Sequence, residues 1–119
     1  MLIPLPKVEV ATVSVKKNGE EDTLANLLYV LMQPTRQKII KLLQLGEPLY
    51  IEQIAEKIGE DRRSVSFHLA TLAENGFVEG EYREIERATK NPGRGRGAKF
   101  YRVTPRVKEV MGKLDAVLG

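Results

Sequence analysis

The sequence predicts a mainly α-helical fold carrying one small β-hairpin, an α+β domain in the order α-α-α-α-β-β-α. Three observations carry that expectation. Apolar residues recur at helical spacing through residues 22–74 and again over 105–118, and the period drops to two between 77 and 104. A short helix, a tight turn and a longer helix are written into IEQIAEKIGEDRRSVSFHLATLAENGFV at residues 51–78. The expected domain spans residues 22–119, preceded by an N-terminal arm at 1–21.

In the arm, Val8, Val10 and Thr12 alternate with Glu9, Ala11 and Val13, the pattern of an edge strand, and Pro4 and Pro6 hold the first residues extended. A loose tail fits the same residues. Residues 22–33, DTLANLLYVLMQ, read as a helix opened by Asp22 or Thr23. Leu24, Leu27, Leu28 and Leu31 share one face, and Tyr29, Val30 and Met32 broaden it. That is more apolar surface than a small domain covers by itself. Pro34 breaks this helix, and residues 35–45 start another with Ile39, Ile40, Leu42 and Leu43 inward and Gly46 as its stop. Residues 48–50, PLY, form a short extended connector.

In the helix-turn-helix stretch, Ile51, Ile54, Ala55 and Ile58 make an inward stripe, and Gly59 follows it where a left-handed cap suits glycine. The turn is residues 59–61. Asp61 reads as the N-cap of the second helix, whose inner stripe is Val65, Leu69 and Leu72. At about 100° per residue, Arg63, Ser64, Phe67, Ala70 and Thr71 fall on the outer face, with Arg62, Ser66 and His68 on its flanks. The strands follow at 77–85 and 98–104, joined by ERATKNPGRGRG. Pro105 then opens a last helix to residue 118, with Val107, Val110, Met111, Leu114, Val117 and Leu118 as a second apolar stripe.

Charge separates the hairpin from the rest. Residues 83–106 hold eight basic and two acidic residues in a chain whose net charge is only +3, so a basic segment sits on an acidic body. That distribution points to a polyanion. Cysteine is absent and histidine occurs once, which excludes disulfides, thiolate metal sites and multi-histidine zinc sites. No nucleophile and base, carboxylate pair or phosphate-cradling loop emerges, so an enzyme is not expected, nor a metal or a cofactor. Apolar runs fall short of a membrane span and the N-terminus lacks a leader pattern, so a soluble cytoplasmic protein is expected.

The run SVSFHLATLAENGFV resembles the ArsR-like winged helix-turn-helix transcription regulators. The positions that carry the resemblance are Ser64, Val65, Ser66, Phe67, His68, Leu69, Leu72 and Gly76, and LMQPTRQKIIKLL is similar to the family's opening helices. The match covers residues 24–118. It implies a homodimer built from the first and last helices, with a recognition helix from each subunit in successive major grooves and a wing on the flanking backbone. The dimer interface expected is then Leu24, Leu27, Leu28, Leu31, Val107, Val110, Met111, Leu114, Val117 and Leu118. One departure matters: the cysteines, or histidine and carboxylate pairs, through which metal-sensing members bind ions are absent. The family's metal response is therefore not carried over.

The residues expected to meet DNA are Arg62, Arg63, Ser64, Ser66, Phe67 and Thr71, because a helix entering the major groove leads with its N-terminal residues, and, through the resemblance, His68. Phe67 can meet a thymine methyl or fold back onto Phe77. His68 sits where the resemblance implies a phosphate or base contact, and a structural hydrogen bond is the alternative. On the hairpin, Arg94, Arg96 and Lys99, with Arg87 and Lys90 nearby, suit phosphates or a minor groove. The function expected is a sequence-specific double-stranded DNA-binding regulator, a dimeric repressor at a palindromic operator. A non-specific, chromatin-like DNA binder and a protein-interaction module are the alternatives.

Overall fold

Proline, threonine and glycine set the ends of the elements in a computed structural model that describes residues 14–17, 20–85 and 97–119. Strand β1 (Ser14–Lys17) pairs antiparallel with β2 (Glu20–Thr23), with Ser14 opposite Thr23. The sequence reading did not foresee this hairpin. Asn18-Gly19, the pair favoured in two-residue hairpin loops, was the available signal. The alternating residues 8–13 lie outside the described residues. β2 crosses the boundary drawn at residue 21 and runs straight into α1 (Leu24–Leu31), which Thr23 caps by accepting from the Asn26 N–H at 3.2 Å. In α2 (Pro34–Leu43), Pro34 stands at the first helical position, where its missing N–H costs nothing, and the Gln33 side chain accepts from the Arg36 N–H at 2.9 Å.

The connector at 48–50 becomes a third strand. β3 (Leu49–Tyr50) pairs with β5 (Gly97–Val103), which pairs in turn with β4 (Val78–Glu84), giving an antiparallel sheet in the order β3-β5-β4. Tyr50 and Phe100, opposite each other in this register, meet edge to face with ring centroids 5.2 Å apart. Between β3 and β4 in the chain come α3 (Ile51–Ile58) and α4 (Arg62–Glu74), and α5 (Arg106–Leu118) closes the chain. Thr104 ties the sheet to α5: its N–H donates to Phe77 O, its hydroxyl donates to Gly76 O, and its own Oγ1 accepts from the Arg106 N–H.

The core joins every helix to the base of the sheet, through Ile39, Ile54, Val65, Leu69, Leu72 and Phe77 at its centre. It also takes in Leu24, Leu27, Leu31, Val107 and Val110, which are buried within the single chain. These five therefore correct the expected dimer interface. α1 packs on α5 inside one subunit, and a helix of eight residues needs its apolar stripe for that contact. What remains for a partner is Leu28, Met111, Leu114 and Val117, half-buried at the core's edge, and Leu118, which is 61% exposed. The surface adds Tyr29, 80% exposed, and Met32, neither of which was assigned to the interface.

Replacing Leu69, wholly buried, by alanine leaves a cavity under α4. The expected cost is about 2–5 kcal/mol, read as a lower urea midpoint with an unchanged slope.

Candidate nucleic-acid interface

Two left-handed glycines and one aspartate hold α4 in place. Gly59 (φ 71°) ends α3, and the N–H groups of Gly59 and Glu60 both reach Ala55 O, at 3.0 and 3.1 Å. The Asp61 carboxylate then accepts from the N–H groups of Arg63 (2.8 Å) and Ser64 (3.4 Å), filling the first vacant turn of α4. At the other end Gly76 (φ 77°) stops the helix while the Phe77 N–H returns to Leu72 O. With Val65, Leu69 and Leu72 wholly buried, the rotation of α4 about its axis is fixed.

The opposite face is thereby turned to solvent. Arg62, Arg63, Ser66, Phe67 and Ala70 are exposed, and Ser64, His68 and Thr71 are half-buried. Phe67 does not fold back on Phe77: it is 54% exposed while Phe77 is enclosed, and its ring lies 5.2 Å from that of His68. Arg62 pairs across the turn with Glu52 of α3 at 3.5 Å. Both side chains are exposed, so the pair holds weakly and yields readily to a phosphate. The Thr71 hydroxyl donates to Phe67 O at 3.1 Å, so its proton is engaged within the helix.

Behind this face lies a polar cluster that the sequence reading missed. Arg36 of α2 is 9% exposed and donates from Nε to His68 Nδ1 at 3.1 Å and from Nη1 to Val30 O at 3.2 Å. Beside it, Glu60 in the turn accepts from the Thr35 hydroxyl at 2.8 Å and from Lys38 at 3.4 Å. The turn is thus fastened to α2 on two sides. Burial holds the His68 pKa below 6.5, the positive charge of Arg36 acts in the same direction, and Glu60 opposes both. His68 therefore carries a structural hydrogen bond whatever else it meets.

On the wing, Arg87, Lys90, Arg94 and Arg96 lie outside the described residues. Lys99 is described, and it does not extend freely. Its stem crosses Gly80, where an added Cβ would come within 2.5 Å of Lys99 Cε, and its ammonium lies 5.5 and 5.8 Å from the ring centroids of Tyr82 and Tyr101. On the other face of the sheet Glu79 pairs with Arg102 at 2.7 Å and the Arg83 guanidinium lies over Phe100. Among the described residues no group of three or more His, Cys, Asp or Glu could hold a metal, and no helix is long and apolar enough to cross a membrane.

Residues 31–81 match the model of a family described as a helix-turn-helix domain. Among curated proteins none matches the chain. Among solved structures, the transcriptional repressor BigR from Xylella fastidiosa is 27% identical with a TM-score of 0.54, over 75% of this chain and 77% of that one. A possible transcriptional regulator for arsenical resistance is 26% identical with a TM-score of 0.56, over 75% and 80%. The homodimeric winged helix-turn-helix DNA-binding domain Mb0332 from Mycobacterium bovis, a possible ArsR-family regulator, is 24% identical with a TM-score of 0.52, over 86% and 90%.

The His68 environment sets a pH dependence of stability. A base whose pKa is lowered on folding contributes stability that is fully present above its ordinary value of 6.5 and is lost as the pH falls through the lower native value. Urea midpoints should therefore fall as the pH is taken from above 6.5 to below it, and His68→Gln should flatten that part of the profile.

Proposed function

We propose that this chain, which has the winged helix-turn-helix fold of the ArsR-like regulators, is a sequence-specific double-stranded DNA-binding transcriptional regulator that acts as a dimeric repressor. One observation carries the reading: α4 presents a capped N-terminal half whose outer face holds exposed Arg62, Arg63, Ser66 and Phe67 while its inner stripe is wholly buried. An arginine fork matches the O6 and N7 acceptors of guanine, and Phe67 suits a thymine methyl in the major groove. Ser64 and Ser66 stand at the same end of the helix, where phosphates and base edges are met together.

A second copy covering Met32, Met111, Leu114, Val117 and Leu118 would bury the apolar surface that one chain leaves open. Two-fold symmetry then sets the two α4 helices roughly 34 Å apart, one turn of duplex, and requires a palindromic operator. Arg87, Lys90, Arg94, Arg96 and Lys99 would follow the flanking backbone from the wing. Binding across a promoter excludes polymerase, which makes repression the direct outcome. No cofactor and no cysteine-based metal switch enters this mechanism, and the reading requires no catalysis.

A palindrome selected from random duplex should bind about a thousandfold tighter than random sequence at physiological salt. Equal affinity would instead favour the non-specific DNA binder, and no affinity for any duplex would favour the protein-interaction module. With about eight phosphates neutralised, log affinity should fall against log salt with a slope near −7. Arg63→Ala should cost about 1–3 kcal/mol and relax preference at one base position. Combined with Arg96→Ala it should cripple binding while sedimentation still shows a dimer.

A further inference from the structure

Arg36 is a buried cation whose guanidinium makes two defined contacts, and one of them fixes chemistry elsewhere. A ring nitrogen that accepts a hydrogen bond carries no proton. Neutral imidazole has a single N–H, so acceptance at Nδ1 leaves that proton on Nε2. The roles cannot be exchanged, because a guanidinium has no acceptor and does not deprotonate in proteins. The two ring nitrogens diverge, so Nε2–H points away from Arg36. Among the described residues the ring's hydrogen bond is the one at Nδ1, and His68 is only half-buried. It emerges on the flank of α4, beside exposed Phe67.

We propose that Arg36 is a positioning residue for the DNA-reading surface: by donating to Nδ1 it holds His68 as the Nε2–H tautomer and aims that N–H outward as a neutral donor to a backbone phosphate. The inference rests on the DNA-binding reading above and specifies how one of its contacts is made. The charged groups facing the imidazole are Arg36 from α2 and Glu60 from the turn, the latter already engaged by Thr35 and Lys38. Arg36 opposes a second proton on the ring, so the contact stays uncharged near neutrality. An uncharged donor displaces no counterion and reads no base. Its signature is an affinity contribution independent of both salt and sequence, unlike that of Arg63. The same guanidinium holds Val30 O in the last turn of α1, so the end of α1 and the flank of α4 are set by one side chain.

The test uses the full chain, with palindromic and random duplexes at fixed salt and pH 7.5. His68→Ala and Arg36→Met should each weaken binding to both duplexes about tenfold, with the salt slope of the wild type. The double variant should bind no worse than His68→Ala alone, since Arg36 acts through His68. His68→Gln, which keeps an outward N–H, should lose less than about threefold. Losses that multiply in the double variant, or wild-type affinity in His68→Ala, overturn the inference. Either result leaves the broader reading standing if Arg63→Ala still loses affinity, whereas a wild-type chain that binds no duplex sinks that reading instead.

Arg36→Met strips donors from two acceptors, so it could unfold the protein, and a spectroscopic arm avoids that. With one histidine in the chain, the imidazole ¹⁵N signals of the wild type belong to His68 alone. An unprotonated Nδ1 with a scalar coupling to Arg36 Nε supports the assignment, with the coupling lost in Arg36→Lys. A proton on Nδ1 in the free wild-type protein overturns it.

Discussion

The seating of α4 is the constraint on which the rest of the structure depends. Val65, Leu69 and Leu72 are wholly enclosed among Ile39, Ile54 and Phe77, and no other rotation of the helix buries that stripe. Each of these side chains contributes roughly 1.5–3 kcal/mol when removed from water. The penalty for turning the helix would therefore exceed anything that Arg63, Ser66 or Phe67 could recover by facing inward. The outer face of α4 is set because the opposite surface is hydrophobically fixed.

Polar contacts then refine what the core has fixed. The Gly59 cap and the Asp61 carboxylate set where α4 begins, while Glu60 is held from α2 by Thr35 and Lys38. Arg36 adds a cross-link between three helices, reaching Val30 O and His68 Nδ1 from α2. This enclosed guanidinium has two of its donors satisfied by acceptors that are themselves fixed by helices. The burial that tolerates it also keeps His68 neutral near pH 7, which preserves the acceptor that Arg36 needs. Tertiary packing and protonation state support each other here.

The wing shows a different balance. Along β4 and β5 the charged residues pair with each other or lie on aromatic rings, as in Glu79 with Arg102, Arg83 over Phe100 and Lys99 between Tyr82 and Tyr101. Exposed pairs of this kind add little to stability. They do order long side chains, so Lys99 is held beside the sheet and would lose less freedom on meeting a phosphate. Gly80 is required for that arrangement, since a side chain there would occupy the space of the Lys99 stem.

Periodicity and caps determined most of the fold. The apolar spacing of α3 and α4, the glycines at 59 and 76, Asp61, Pro34 and the switch to period two are local signals, and local signals are what a sequence displays directly. They gave the outer face of α4 by simple rotation: Arg63, Phe67 and Ala70 are exposed as that rotation expects, whereas Ser64 and Thr71 on the same face are half-buried and Arg62 and Ser66, expected on its flanks, are exposed. Non-local matters were decided by the tertiary structure. An apolar stripe reads the same whether it packs on its own chain or on a second one, so spacing alone leaves Leu24, Leu27, Leu31, Val107 and Val110 open to a partner, and the packing of α1 on α5 places them inside one chain. The two-residue strand Leu49–Tyr50 is too short to show a period and exists because β5 offers it an edge. Arg36 did leave a trace, falling in phase with Ile39, Ile40 and Leu43 on the inward stripe of α2. What that misplaced charge was for could not be read from spacing, because its partner His68 stands 32 residues away and only folding brings the two nitrogens within 3.1 Å.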